Sequence, residues 1–289
     1  FDEAKGLDAA LLGGKGAGLV QMMAAGLPVP PGLVITTEAC RRNPDGSLSE
    51  ALWEEIAQAV RQLERRTNRG FGKGPKPLLV SVRSGAPVSM PGMMDTVLNL
   101  GLNEETAVAL ARATGGGFRF AANTFTRFAR MFADIVLGLT EELLHDAAFL
   151  AELEAVQDEE TLRMAVRSAS ERVSGAAGEP FPTNPWDQLQ RSVVAVFQSW
   201  NSRRAVRYRE HHKIPHDLGT AVVVQQMVFG NLGSPSGTGV AFTRDPRNGE
   251  PKLYGEYLEN GQGEDLVAGT HTPESLDAVG ERYPAIISR

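Results

Sequence analysis

The spacing of apolar residues along the first hundred positions changes between helical and extended periods. Apolar side chains recur three and four positions apart behind the segment GGKGAGL and again over residues 50–66, which predicts two helices. The runs VPPGLVITT and KPLLVSV are short, apolar and rich in branched residues, as buried strands are. Residues 1–102 are therefore predicted to form an α/β part of the fold.

The middle of the chain has a helical pattern with few strand signals. Phe125, Phe128 and Phe132 repeat at helical spacing, which favours a packed core stripe over an aromatic cofactor site. A connector rich in proline and glycine, SGAAGEPFPTNP, follows this region. We predict a largely helical subdomain over residues 103–185.

The last third returns to strand patterns after one further helix, whose first turn is marked by Pro185. AVVVQQMVF is a branched apolar run typical of a buried strand, and NLGSPSGTG is predicted to be a glycine-rich loop. Asn248-Gly249 lies between two more apolar runs and is a hairpin signal. Residues 186–289 are predicted to be β-rich, and the predicted class of the whole chain is α+β.

Composition and charge argue against several classes of function. The net charge of −6 and the isoelectric point near 5.5 argue against a nucleic-acid or membrane-surface partner, since both require a basic face. Cys40 is the single cysteine, which excludes an intrachain disulfide framework and a thiolate metal cage and indicates a reducing cytoplasm. No apolar run approaches the length of a membrane span, the first residues lack a signal-peptide pattern, and the histidines show no HExxH spacing.

The segment GGKGAGL combines small residues with one cation, Lys15. Its backbone N–H groups and the helix start behind it are suited to binding an anion. The spacing is neither GxxxxGK[ST] nor GxGxxG behind a strand, so neither a Walker loop nor a Rossmann fingerprint is present. A phosphate site at Lys15 and a plain glycine-rich helix entry are equally compatible with the segment alone.

Arg83 stands at the end of a predicted buried strand and is followed closely by a glycine. Its guanidinium can bind phosphate oxygens as a fork, or it can form a structural salt bridge with one of the 35 acidic residues. The segment SGTG, which contains Thr238, can fold over a nucleotide as a flap. Taken alone, such a segment is more often a mobile hairpin tip.

Two strand segments are candidates for contacts with a nucleotide and its metal. Gln225, Met227 and Phe229 end a strand with backbone edges and apolar surface that can receive a planar base, although most such runs are simply buried strand. Glu256 interrupts the apolar strand Leu253–Leu258. A carboxylate is costly to bury unless it is paired or binds a cation such as nucleotide-bound Mg²⁺, and a solvated edge strand is the equal alternative.

Together these segments resemble the N-terminal nucleotide-binding domain of the pyruvate, phosphate dikinase family, an ATP-grasp-type domain that here has a largely helical insertion. The resemblance covers nearly the whole chain. It is carried by LLGGKGAGLVQM, SVRSGAPVSMPGMMDTVLNLGLN, QQMVFGNLGSPSGTGVAFTRDPRNGE and LYGEYLENGQGEDLVAG. The SMPGMMDT segment distinguishes this family from phosphoenolpyruvate synthase and rifampin phosphotransferase, which share the fold.

The resemblance implies roles for three overlapping groups of residues. The implied catalytic residues, which hold the ATP phosphates, are Lys15 and Arg83. The implied nucleotide-binding residues are Lys15, Arg83, Gln225, Met227, Phe229, Thr238, Glu256 and Gln262. The implied Mg²⁺ ligands are Glu256 and Gln262.

The implied reaction moves phosphoryl groups from Mg-ATP to a histidine of a separate domain and to inorganic phosphate, leaving phosphohistidine, AMP and pyrophosphate. The phosphohistidine then serves to make phosphoenolpyruvate from pyruvate. A TCHAA-like motif for that histidine and a pyruvate-binding barrel are both missing from this sequence. We therefore expect a truncated part of a cytoplasmic, homodimeric enzyme rather than a stand-alone relative, with a phosphoenolpyruvate synthase-type phosphotransferase or a non-catalytic nucleotide-binding module as alternatives.

The sequence departs from the family pattern at Pro87. Many members have an arginine at this position, in SGARxSMPGMMDT, and that arginine is regarded as an ATP contact. The resemblance therefore implies that one phosphate contact is missing here and that Arg83 contributes a larger share of phosphate binding.

Overall fold

The computed structural model describes residues 1–43, 45–139, 141–233, 236–267 and 271–283. Its α-helices are α1 Ala9–Ala24, α2 Thr37–Arg42, α3 Glu50–Thr67, α4 Glu104–Ala113, α5 Gly117–Ile135, α6 Ala147–Glu154, α7 Glu159–Ala177, α8 Pro185–Ser199, α9 Arg203–His212, α10 Gly263–Val267 and α11 Leu276–Arg282. Its strands are β1 Gly32–Ile35, β2 Gly70–Phe71, β3 Pro77–Leu78, β4 Val80–Gly85, β5 Thr96–Leu100, β6 Ala221–Gln226, β7 Gly237–Phe242, β8 Tyr254–Glu259 and β9 Glu274–Ser275. This mixture of helices and sheets confirms the predicted α+β class.

The chain forms two compact units. Unit 1 contains residues 1–113 and 117–227, and unit 2 contains residues 114–116 and 228–289. The described residues between 103 and 185 form helices α4 to α7 and a 3₁₀ turn, without a strand. The division into three segments made from the sequence remains a prediction.

The sheet of unit 1 has the order β1-β6-β4-β5, and its neighbouring strands are all antiparallel. The two central strands, β4 and β6, bury branched side chains such as Val82 and Val224 completely. Branched residues suit this position because they pack well on a pleated surface. Helix α1 packs on the face of the sheet that carries Val34 and Ala221, since these are the side chains met by its glycines.

The helical part of unit 1 is organised around the predicted aromatic stripe. Phe125, Phe128 and Phe132 of α5 are at most 2% exposed and surround Phe181 with ring-centre distances of 5.5–6.1 Å. Edge-to-face contacts of this kind are favourable between aromatic rings. The stripe is therefore a packed core, as predicted.

Unit 2 contains a three-stranded antiparallel sheet with the order β7-β8-β9. The predicted hairpin is confirmed: β7 pairs with β8, and Gly249 in the connection has a φ of 77°. Strand β7 begins at Gly237, so Thr238 lies in a strand rather than in the predicted loop; Ser234 and Pro235 of that loop lie outside the described residues.

Candidate functional site

The glycine-rich segment at the start of the chain lies within a bent helix, not in a loop ahead of one. Helix α1 already begins at Ala9, with Asp8 as its N-cap, and is interrupted at Gly13, where φ is 68° and ψ is 163°. A β-carbon on Gly13 would overlap the carbonyl oxygen of Gly85 at the end of β4. The bend therefore lets the backbone of α1 approach the end of a central strand more closely than any side chain would allow.

Lys15 and Arg83 meet where α1 contacts this strand end. The N–H of Gly14 donates to the carbonyl of Ala86 at 2.9 Å, which fixes the second part of α1 beside β4. A β-carbon on Gly85 would lie 3.5 Å from the β-carbon of Lys15, and Arg83 precedes Gly85 by two residues on the same face. The structure thus brings the two predicted cations together in unit 1.

The pKa values of both cations are lowered by their surroundings. Lys15 is exposed at the surface, but the protein atoms around its ammonium group lower its pKa, and the charge of Arg83 lowers it further. Burial lowers the pKa of Arg83, which is half-buried. These directions have one cause in common: each cation is partly shielded from water without an opposite charge beside it.

Within the part of the chain that the structure describes, neither cation has an acidic partner. The side chain of Arg83 donates from Nη2 to Oε1 of Gln225, a neutral group, while its Nε is buried without a hydrogen-bond partner. No carboxylate contributes to the pKa shift of either residue. Arg83 therefore forms no salt bridge with the described residues, contrary to the structural alternative. The pair of cations is chemically suited to binding an anion.

The segment predicted to bind the base begins in β6 with Gln225 and continues beyond the end of this strand with Met227 and Phe229. Gln225 is 6% exposed, and its amide is engaged by Arg83 and by the carbonyl of Pro30, so it has no free edge for a base. Strand β6 ends at Gln226, one residue before Met227. The backbone N–H of Met227 donates to the carbonyl of Leu79 at 2.9 Å.

Thr238 and Glu256 share one face of the sheet in unit 2. Thr238 pairs with Leu258, and Val240 pairs with Glu256, so these four side chains point to the same side. The side chain of Glu256 is exposed and makes no hydrogen bond or ion pair with the described residues. It lies on the central strand β8, so the alternative of a solvated edge strand is wrong, although the side chain is solvated.

Gln262 holds a backbone segment of unit 2. Its Oε1 accepts from the N–H of Gly230 at 2.8 Å, and its Nε2 donates to the carbonyl of Val228 at 2.9 Å. These two bonds fix the backbone on both sides of Phe229, which is half-buried. The structure thus gives Gln262 a backbone contact, and its implied role as a Mg²⁺ ligand remains a prediction.

The loop after Arg83 packs onto helices α8 and α9. Met90 is 7% exposed and forms a small core with Trp200 and Ala205. Asp95, near the end of the loop, accepts a hydrogen bond from Arg204 of α9. Pro87, near the start of the loop, is half-buried. The methionines therefore contribute to a core within unit 1.

The described residues have neither a cluster of metal ligands nor a membrane-spanning helix. They contain no group of three or more His, Cys, Asp or Glu side chains arranged to hold a metal ion. None of the helices in these residues has both the length and the apolar character needed to cross a bilayer.

A protein-family model matches most of the chain. The family model described as pyruvate phosphate dikinase, AMP/ATP-binding domain, matches residues 44–289.

Individual relatives give the same result. Over 284 residues the chain is 49% identical to pyruvate, phosphate dikinase 1, chloroplastic, of Oryza sativa subsp. japonica, covering 95% of this chain and 30% of the relative. It is 48% identical over 287 residues to pyruvate, phosphate dikinase 2 of Zea mays, covering 95% and 32%. Pyruvate, phosphate dikinase of Rhizobium meliloti (strain 1021) is 48% identical over 275 residues, covering 92% and 30%. The chain thus spans about a third of the length of these relatives.

Proposed function

The chain belongs to the pyruvate phosphate dikinase AMP/ATP-binding domain family, and on this basis we propose that it binds ATP, with Lys15 and Arg83 holding the phosphates. The observation that supports this most is that neither cation has an acidic partner among the residues that the structure describes. Two neighbouring cations without an acidic partner are costly in a folded protein, and the cost is offset when a polyanion binds.

The chemistry of the two side chains suits a triphosphate. The guanidinium of Arg83 presents planar donors that match phosphate oxygens, and its buried Nε is available for one of them. Lys15 adds a compact positive charge next to it. Phosphoryl transfer depends on such charge neutralisation and alignment more than on a protein nucleophile.

For the whole protein we propose the reaction implied by the resemblance. Mg-ATP gives one phosphoryl group to a histidine of a separate domain and one to inorganic phosphate, and the products are phosphohistidine, AMP and pyrophosphate. The role of this chain's residues is to bind and align the phosphates. Phosphoenolpyruvate formation, the homodimer and the cytoplasmic location belong to the same proposal; the matched relatives include proteins named chloroplastic and a bacterial one.

For Mg²⁺, the resemblance assigns Glu256 and Gln262. A magnesium ion bound to a nucleotide needs one or two protein oxygens, and the exposed carboxylate of Glu256 offers such an oxygen without an internal competitor among the described residues. When bound, the ion would supply charge neutralisation at the phosphates. The Oε1 atom of Gln262 is already used by Gly230, so we propose Glu256 as the principal ligand of the two.

Lys15→Met is expected to weaken MgATP binding at pH 7 about 10-fold, the value of one charge-assisted contact. Because the pKa of Lys15 is lowered, the affinity of the unaltered chain should fall as the pH rises through that pKa, since the neutral amine no longer attracts phosphate. Isothermal titration calorimetry over a pH series measures both effects. Lys5→Met removes an exposed lysine of the same unit and is the matched control; an identical pH profile for Lys15→Met and the unaltered chain would contradict the proposal.

Glu256→Gln is expected to lower about 10-fold the factor by which Mg²⁺ strengthens ATP binding, because an amide is a weaker ligand for the ion than a carboxylate. The measurement compares ATP affinity in Mg²⁺ and in EDTA for each variant, and the affinity in EDTA should not change. Glu281→Gln, on α11 of the same unit, is the exposed control. An unchanged Mg²⁺-to-EDTA ratio in Glu256→Gln rejects the assignment of Glu256.

A further inference from the structure

Gln225 is a buried amide whose two polar atoms both have partners. Nε2 donates to the carbonyl oxygen of Pro30 at 2.9 Å, and Oε1 accepts from Nη2 of Arg83. Because a carbonyl oxygen can only accept, the amide nitrogen must face Pro30, and the amide oxygen must therefore face Arg83. The backbone on one side thus fixes which atom the arginine meets on the other.

The register of the sheet brings the two side chains together. Val223 on β6 pairs with Arg83 on β4, and Gln225 is two positions further along the same strand. Residues two apart on a strand point to the same face, so Gln225 and Arg83 are diagonal neighbours across two central strands. This places the contact on the rigid part of unit 1 rather than on a loop.

The neutrality of the amide distinguishes this contact from an ion pair. A glutamate at position 225 could accept the same hydrogen bond, but its charge would cancel that of Arg83. The amide orients the guanidinium and leaves its charge uncompensated. It also leaves Nε, which is buried and has no hydrogen-bond partner in the described part of the chain, as a donor that is still to be satisfied.

We propose that Gln225 is a positioning residue that holds Arg83 in its phosphate-binding orientation without neutralising it. This inference rests on the proposed function, since it requires Arg83 to bind phosphate. It replaces the role predicted from the sequence for Gln225, which is to contribute to the surface that receives the planar base. The ligand concerned is the phosphate chain of the nucleotide, not its base.

A double-mutant cycle with Gln225→Met and Arg83→Met tests the inference. Methionine keeps the approximate length of glutamine but cannot accept a strong hydrogen bond, so Gln225→Met should weaken MgATP binding about 5-fold. In the Arg83→Met background the same change should alter the affinity less than 2-fold, because Gln225 acts through Arg83. A structural role would instead weaken binding equally in both backgrounds, and that result would overturn the inference.

Gln225→Glu provides a second variant that keeps the volume and the contact with Arg83, although its second oxygen cannot donate to the carbonyl of Pro30. It should weaken MgATP binding about 10-fold and make binding less dependent on salt, since one cation of the site is then neutralised. Thermal unfolding of each variant shows that it is folded at the titration temperature. If Gln225→Met does not fold, Gln225→Glu alone tests the inference. The inference is overturned if Gln225→Glu binds MgATP with the affinity and the salt dependence of the unaltered chain.

The outcomes separate this inference from the proposed function. If Arg83→Met leaves MgATP affinity unchanged, the proposed phosphate site fails and the inference fails with it. If Arg83→Met weakens binding but both Gln225 variants bind like the unaltered chain, the phosphate site stands and only the positioning role is rejected.

Discussion

Replacing Arg83 with methionine is expected to weaken MgATP binding about 100-fold. A bidentate contact between a guanidinium and phosphate comprises two charge-assisted hydrogen bonds, which together contribute about 3 kcal/mol. The variant should nevertheless keep or raise its thermal unfolding midpoint. It removes a cation that is desolvated and has no acidic partner among the described residues, and this gain outweighs the single acceptor, Oε1 of Gln225, that it leaves unpaired. Titration calorimetry and thermal unfolding of the same preparation measure the two effects.

Arg209→Met is the matched control for that experiment. Arg209 is more deeply buried than Arg83, at 1% exposure, but its guanidinium is satisfied by the carbonyl of Trp200, by Nδ1 of His216 at 3.1 Å and by the ring of Trp200 at 4.0 Å. Its loss leaves two acceptors unpaired and should lower the unfolding midpoint, with little change in MgATP affinity. A fall of several degrees in the midpoint of Arg83→Met, or unchanged affinity for MgATP, would contradict the account.

Gly13→Ala is expected to destabilise the chain by about 3 kcal/mol or more, because two costs combine at this position. The backbone at Gly13, with φ of 68° and ψ of 163°, is in a region that is nearly exclusive to glycine, and the new β-carbon would overlap the carbonyl oxygen of Gly85. The second part of α1 must then move away from β4 and carry Lys15 with it. Chemical denaturation measures the stability, and titration of the folded fraction should show weakened MgATP binding.

Gly18→Ala supplies the control on the same helix. A β-carbon at Gly18 meets nothing within 4 Å, and its φ is not positive. Alanine should therefore stabilise this helix interior by about 0.5–1 kcal/mol. Equal stability changes for the two alanine variants would show that the bend at Gly13 has no structural role.

The sequence predicted those elements that are determined by residues close to one another along the chain. The aromatic stripe of α5, the start of α8 at Pro185 and the hairpin at Asn248-Gly249 were each predicted from spacing or turn chemistry, and the structure has all three. In each case the residues that determine the element lie within a few positions of one another. The α+β class followed from the sum of such signals.

The contacts of the candidate site could not be predicted in this way because they join distant residues. Gln225 and Arg83 are 142 positions apart, and only the register of β6 against β4 makes them neighbours. The close approach of Gly13 to Gly85 likewise requires the tertiary packing of α1 on the sheet. The apolar strand around Glu256 does not predict the exposure of its side chain, because that exposure depends on what packs on the same face of β8.

The central claim is that Lys15 and Arg83 form a phosphate site that exists before the nucleotide binds. The most direct measurement is a crystal structure of the chain with Mg²⁺ and a non-hydrolysable ATP analogue. The account predicts phosphate oxygens within about 3.2 Å of Nζ of Lys15 and Nε of Arg83, with the contact between Arg83 and Gln225 retained. A nucleotide whose phosphates bind elsewhere, with Nε of Arg83 still unpartnered, would contradict it.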